Sequence, residues 1–83
     1  MKLVYFAWVR ERIGRSEEEI AVPASIRTAS DLIAWLSRQG DEYAYAFERP
    51  EIIRVAADHV HVKADSVIND AKEIAFFPPM TGG

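Results

Sequence analysis

The closing run Phe76-Phe77-Pro78-Pro79-Met80-Thr81-Gly82-Gly83 holds the residues best suited to chemistry. An apolar stretch runs into two prolines, which fix φ and stiffen the exit. Beyond Pro79 there are four residues, and fully extended they would reach roughly 13–14 Å. That reach would carry a terminal carboxylate clear of a folded domain and into a partner's cleft. Glycine has no Cβ, so Gly82 and Gly83 could thread a narrow channel at backbone angles closed to other residues. A terminal carboxyl has a pKa of roughly 3.3–3.7, so it is ionised and a poor electrophile at neutral pH until it is activated. On position alone the same residues would also serve as an ordinary frayed terminus or a linker remnant.

The other constellations are weaker. His59 and His61 stand at i and i+2, a spacing that shares one face of a strand and could hold a metal. No cysteine and no further histidine exists to complete such a site, and only Asp58 and Asp65 are near. Solvated histidines on a half-exposed strand are the expectation, with no metal. Glu17-Glu18-Glu19 reads as a solvated edge. Ser25, Ser30, Ser37 and Ser66 lack the context of a nucleophile, and no triad is assigned. The absence of cysteine excludes disulfides and thiolate chemistry and points to the cytoplasm. No signal peptide or membrane span is read. Net charge is −3, and the local excess of Arg10, Arg12 and Arg15 is followed at once by three glutamates, which argues against nucleic acid.

The elements that must position the tail fit one domain of 83 residues, 49% hydrophobic. Residues 2–9 form a β-branched and aromatic run that predicts a buried strand. Residues 17–22 predict a second strand, ended by Pro23. Thr28 and Asp31 predict a helix start, with Thr28 capping the Asp31 amide. Ala29, Leu32, Ile33 and Leu36 follow on one stripe, and Gly40 suits a left-handed stop. A weaker helical turn is expected over 42–48. Residues 52–56 and 60–62 predict strands that turn near Asp58, a turn is expected at 69–71, and residues 73–77 form the last strand. The order is β-β-α-β-β-β, an α+β roll in which a mixed sheet wraps one main helix. The domain would span 1–79 and the tail 80–83.

The chain resembles the molybdopterin synthase small subunits, the MoaD-like sulfur carriers of the ThiS/MoaD family. The likeness rests on Phe6-Ala7-Trp8-Val9-Arg10-Glu11 with Gly14 in the following turn, and above all on Ala75 through Gly83. It departs at Ala57-Asp58-His59, where the family often has an asparagine. The resemblance implies a ubiquitin-like β-grasp fold and a carrier that is not itself an enzyme. A MoeB-like activating enzyme would use ATP to adenylate the Gly83 carboxylate, and a sulfur donor would convert the adenylate to a thiocarboxylate. The tail, through Met80, Thr81 and Gly82, would then enter the large synthase subunit, in a heterotetramer, and pass sulfur to a cyclic pyranopterin. No cofactor would be bound by the chain itself. A thiazole-pathway sulfur carrier and a ubiquitin-like modifier joined to lysines through Gly83 are the alternatives, and the Phe-Phe-Pro-Pro run favours the molybdenum pathway.

Docking should use apolar surface. In the first predicted strand Leu3, Tyr5, Ala7 and Val9 alternate with Val4, Phe6 and Trp8, so both faces are apolar and one helix can cover only one of them. Phe6, Trp8, Phe76, Pro78 and Pro79 are the expected partner-binding residues, unless loops cover that face.

Overall fold

A computed structural model describes residues 1–79. Lys2–Tyr5 forms β1, Ala7–Ile13 α1, Glu17–Glu19 β2, Ala29–Leu36 α2 and Asp41–Ala46 α3. After a 3₁₀ turn at Pro50–Ile52 come β3 (Arg54–Ala57), β4 (Val60–Val62) and β5 (Glu73–Phe77). The five strands form one sheet in the order β2-β1-β5-β3-β4. β1 and β5 run parallel at its centre, and the β1–β2, β3–β5 and β3–β4 pairs are antiparallel. This is the expected mixed sheet wrapped on a helix, a β-grasp domain.

The inner face is built by alternation. Leu3 pairs with Ile74 and Tyr5 with Phe76 across β1–β5, while Val55 meets Phe76 across β3–β5. All five are buried with Ala29, Leu32, Ile33 and Leu36 of α2. Helix α2 starts as the sequence predicts: the Asp31 amide donates to Thr28 Oγ1 at 3.0 Å, and the Thr28 amide donates to Asp31 Oδ2 at 3.2 Å. These reciprocal bonds form a capping box.

Several local expectations are corrected: β2 stops at Glu19 short of Val22, and β3 starts at Arg54 after the 3₁₀ turn. The first strand does not continue to Val9. The chain leaves it at Ala7, which takes a positive φ of 53°, and then coils into α1. Val9 and Ile13, at the i, i+4 spacing of one helical face, are buried there. Gly14 closes α1 in the left-handed conformation (φ 89°), its amide donating to the Arg10 carbonyl. Gly40 is not a left-handed stop: its φ is 169°, and it opens α3 by accepting from the Tyr43 and Ala44 amides. Helix α2 has already ended at Leu36, where Ser37 Oγ donates to the Ala34 carbonyl at 2.7 Å and Gln39 Nε2 to the Trp35 carbonyl at 2.9 Å.

Glu18 is not part of a solvated edge, unlike its neighbours Glu17 and Glu19, which are exposed. It pairs with Leu3 and so faces inward. The Tyr5 and Tyr43 hydroxyls each donate to Glu18 Oε2 at 2.6 Å, and Arg15 Nη1 donates to Oε1 at 2.8 Å. Partial burial works against its ionised form, but the two hydroxyls and Arg15 outweigh it and hold the carboxyl below its ordinary pKa. Burial and the Glu18 carboxylate push the Tyr43 hydroxyl up to about 12 and the Tyr5 hydroxyl higher still. A lowered folded-state pKa gives stability that is present above the unfolded value and is lost as pH falls through the folded one. Glu18→Gln should cost roughly 1.5–3 kcal/mol at neutral pH, the range for hydrogen bonds to charged groups. The variant should also lose less stability than the parent when urea melts are taken from neutral pH down through the carboxylate range. Equal acid sensitivity in both proteins would show that Glu18 is not the group responsible.

Candidate functional site: the outer sheet face at the strand exit

The face of the sheet turned away from α2 is set by the same alternation. Lys2 and Val4 of β1, Glu73, Ala75 and Phe77 of β5, and Arg54 and Ala56 of β3 project outward, and His61 of β4 joins them opposite Ala56. Phe6 stays extended (φ −124°, ψ 152°), so it continues the outward set Lys2, Val4, Phe6. Its amide donates to the Phe76 carbonyl at 3.0 Å, which carries the parallel pairing one step beyond β1. Phe6 therefore stands beside Phe77 where β5 runs out into Pro78 and Pro79. It is 46% exposed, one of the few large hydrophobic side chains among the described residues that solvent reaches so freely.

The expected docking residues fall into three groups. Phe6, Pro78 and Pro79 lie at the exit, the two prolines half-buried. Phe76 does not belong on the exposed face: it is 0% exposed, its ring 5.9 Å from Tyr5 and 5.2 Å from Phe47. The strand's period of two then puts Phe77 outward in its place. Trp8 is not on the sheet face either, because the chain is helical by then. It is half-buried on α1, and the Arg12 guanidinium lies 4.5 Å from its ring centre and 4.2 Å from that of Tyr45. Arg12 Nη1 also donates to the Tyr45 carbonyl at 3.1 Å and to Glu48 Oε1 at 3.2 Å, so Trp8 helps to staple α1 to α3.

The histidines separate. His59, exposed in the turn, lies 3.6 Å from Glu73 Oε2, while the His61 ring sits edge-on to Phe77 at 5.2 Å. The turn between β3 and β4 has positive φ at both central residues, 47° at Asp58 and 72° at His59, as a two-residue hairpin demands. Asp58 Oδ1 accepts the Lys72 and Glu73 amides at 3.0 Å each, which ties the hairpin to the start of β5. Among the described residues no cluster of three or more His, Cys, Asp or Glu side chains could hold a metal. Met80, Thr81, Gly82 and Gly83 lie outside the described residues.

A five-stranded mixed sheet grasping a helix, with the exposed Phe6 beside the end of its central strand, defines a ubiquitin-like β-grasp domain. The chain matches the ThiS family over residues 3–83, and it belongs to that family. It is 36% identical to the molybdopterin synthase sulfur carrier subunit of Escherichia coli, across 100% of this chain and 99% of the relative. To the subunit of the same description from Haemophilus influenzae it is 34% identical, with the same coverage. Among solved structures, a Pyrococcus furiosus protein described as a candidate molybdopterin converting factor, subunit 1, is 26% identical. It superposes with a TM-score of 0.73 over 95% of each chain. Small archaeal modifier protein 1 of Haloferax volcanii, 20% identical with a TM-score of 0.72 over 96% and 97% of the two chains, shares the fold.

Proposed function

We propose that this chain is the sulfur carrier of molybdenum cofactor biosynthesis, the small subunit of a molybdopterin synthase. The observation that carries the reading is full-length identity of 36% and 34% to two sulfur carrier subunits. The run Phe76-Phe77-Pro78-Pro79-Met80-Thr81-Gly82-Gly83, which begins in the central strand, supports it.

The chemistry has a defined order. A MoeB-like enzyme brings ATP, and the Gly83 carboxylate attacks the α-phosphate and expels pyrophosphate. The acyl adenylate is the electrophile that the bare carboxylate is not. Sulfide-level sulfur delivered by a donor then attacks the acyl carbon and displaces AMP, and the product is a terminal thiocarboxylate, a soft anionic nucleophile. The tail, Met80 to Gly83, enters the large synthase subunit, in a heterotetramer, where sulfur passes to the pyranopterin. The chain contributes the carrier atom and the docking surface and no catalytic side chain, binds no cofactor, and works in the cytoplasm. No helix among the described residues is long and apolar enough to cross a membrane.

Intact mass spectrometry after incubation with an activating enzyme, ATP and a sulfur source tests the reading. The expected result is a shift equal to the exchange of one oxygen for one sulfur, lost on adding the large subunit and its pterin substrate. An unchanged mass, or high-mass conjugates on lysines, would overturn it, the second in favour of a protein modifier.

Phe6 is the apolar anchor of that docking surface. Aromatic hot spots commonly cost roughly 2 kcal/mol or more when truncated. Phe6→Ala should weaken binding to the large subunit by that amount and leave the melting temperature of the free protein almost unchanged, since the ring is 46% exposed. Unchanged affinity, by titration calorimetry, would remove Phe6 from the interface.

A further inference from the structure

The two ends of the outer sheet face differ in how their charges are used. At the end away from the exit, Lys2 Nζ lies 3.4 Å from Glu17 Oε2 and 3.8 Å from Glu73 Oε1, and His59 also reaches Glu73 at 3.6 Å. The cations there are balanced within the chain. At the exit end Arg54 stands directly across the β3–β5 pair from Phe77, the last strand residue before Pro78. It is exposed and forms no ion pair among the described residues. His61, on β4 one strand beyond Arg54's β3, reaches Phe77 from the same side of β5, its ring 5.2 Å away and nearly perpendicular. The nearest acidic residues in the chain before Arg54 are engaged elsewhere: Glu48 with Arg12 at 3.2 Å, and Glu51 with Arg49 at 3.1 Å.

We infer that Arg54 is a specificity residue of the docking surface, and that the partner receiving the tail presents a carboxylate beside the groove that takes Phe6 and Phe77. The inference rests on the carrier reading and adds to it the chemistry of the partner. An arginine offers five donors in a planar fork that matches a carboxylate bidentately. An apolar residue at the root of the tail next to a cation left without an internal counter-charge fits a surface of opposite sign. Complementary charge at the edge of an apolar contact selects the partner and speeds its approach more than it adds to affinity. Set at the root of the tail, the pair would also align its exit with the receiving channel.

The test is titration calorimetry and stopped-flow association of the full-length chain with the cognate large subunit, at about 0.01 M and about 0.15 M salt, across which screening changes severalfold. Arg54→Gln should slow association and weaken binding about tenfold at low salt, with a flattened salt response, while Arg54→Glu loses more. Arg54→Lys should keep the salt response and lose part of the affinity, because it keeps the charge without the fork. Melting curves of the free variants should match the parent, since Arg54 is exposed and unpaired among the described residues. Arg54→Gln binding with the parent's affinity and salt response would overturn the inference and leave the carrier reading standing. Failure of the parent itself to bind the large subunit would overturn both. A parent that captures duplex DNA in a way that Arg54→Gln abolishes would assign the charge to nucleic acid, against the inference.

Discussion

Removal of Gly83 is expected to abolish thiocarboxylate formation outright while the unfolding midpoint moves hardly at all. Each half has its own reason. The chemistry needs a carboxylate at a fixed distance from the root of the tail, and loss of one residue shortens the extended reach by roughly 3.5 Å. A misplacement on that scale is enough to take a reacting group out of attack geometry. The core, by contrast, is complete by Phe76 among the described residues, and no buried side chain of the cluster lies beyond it. Appending a single residue after Gly83 should do the same, since the carboxylate then sits one step too far along. Intact mass after the activation reaction and a urea melt of the same sample check the pair of outcomes. A shortened chain that still gained sulfur would place the reacting group elsewhere.

Phe76→Ala should have the opposite profile. The ring is 0% exposed and lies between Tyr5 and Phe47. A buried Phe→Ala change costs roughly 3–5 kcal/mol through lost transfer energy and the cavity left behind. Small domains have only about 5–15 kcal/mol in total, so the variant should be marginal or unfolded at 37 °C. Phe77→Ala, one residue on and facing outward, should cost on the order of 1 kcal/mol. Denaturation curves of the two variants separate them, and similar losses would mean that the strand's inward and outward sets are wrongly assigned.

These two neighbours also show how far the sequence could be read. The strand 73–77 is read correctly in both its ends, because Glu73 and Pro78 bound an unbroken apolar run. The α2 start is equally plain, since Thr28 and Asp31 carry a capping signal that needs no tertiary context. What the run Phe76-Phe77 does not reveal by itself is which ring faces the helix. That needs the register against Tyr5 and Arg54, which is a property of the assembled sheet. Helix α1 is missed for a different reason. Trp8 and Val9 have strand propensity, and they sit in helix because Val9 and Ile13 find the core there, a tertiary override of local preference. The signals were Gly14 in the stop position and Arg10 and Arg12 in the last turn. Glu18 among three glutamates is legible only from pairing, since the strand's alternation turns the middle residue inward to two hydroxyls. The candidate site was half legible: the exit and Phe6 follow from the closing run and the first strand, whereas Arg54 and His61 come to Phe77 only through the sheet order.

The parallel pairing of β1 with β5 has a bearing on synthesis. β5, the last strand among the described residues, lies at the centre of the sheet, between β1 and β3. A nascent chain halted before residue 73 would leave β1 and β3 each with an unpaired edge and the inner face without Ile74 and Phe76. Contacts between segments so far apart in sequence are also the slowest to form, because the whole intervening loop must be closed first. Folding therefore waits for the segment that immediately precedes the tail. A ribosome product that stopped short would be left open to proteolysis, and a chain that passes into the folded pool has already carried its synthesis through to the strand from which the tail departs.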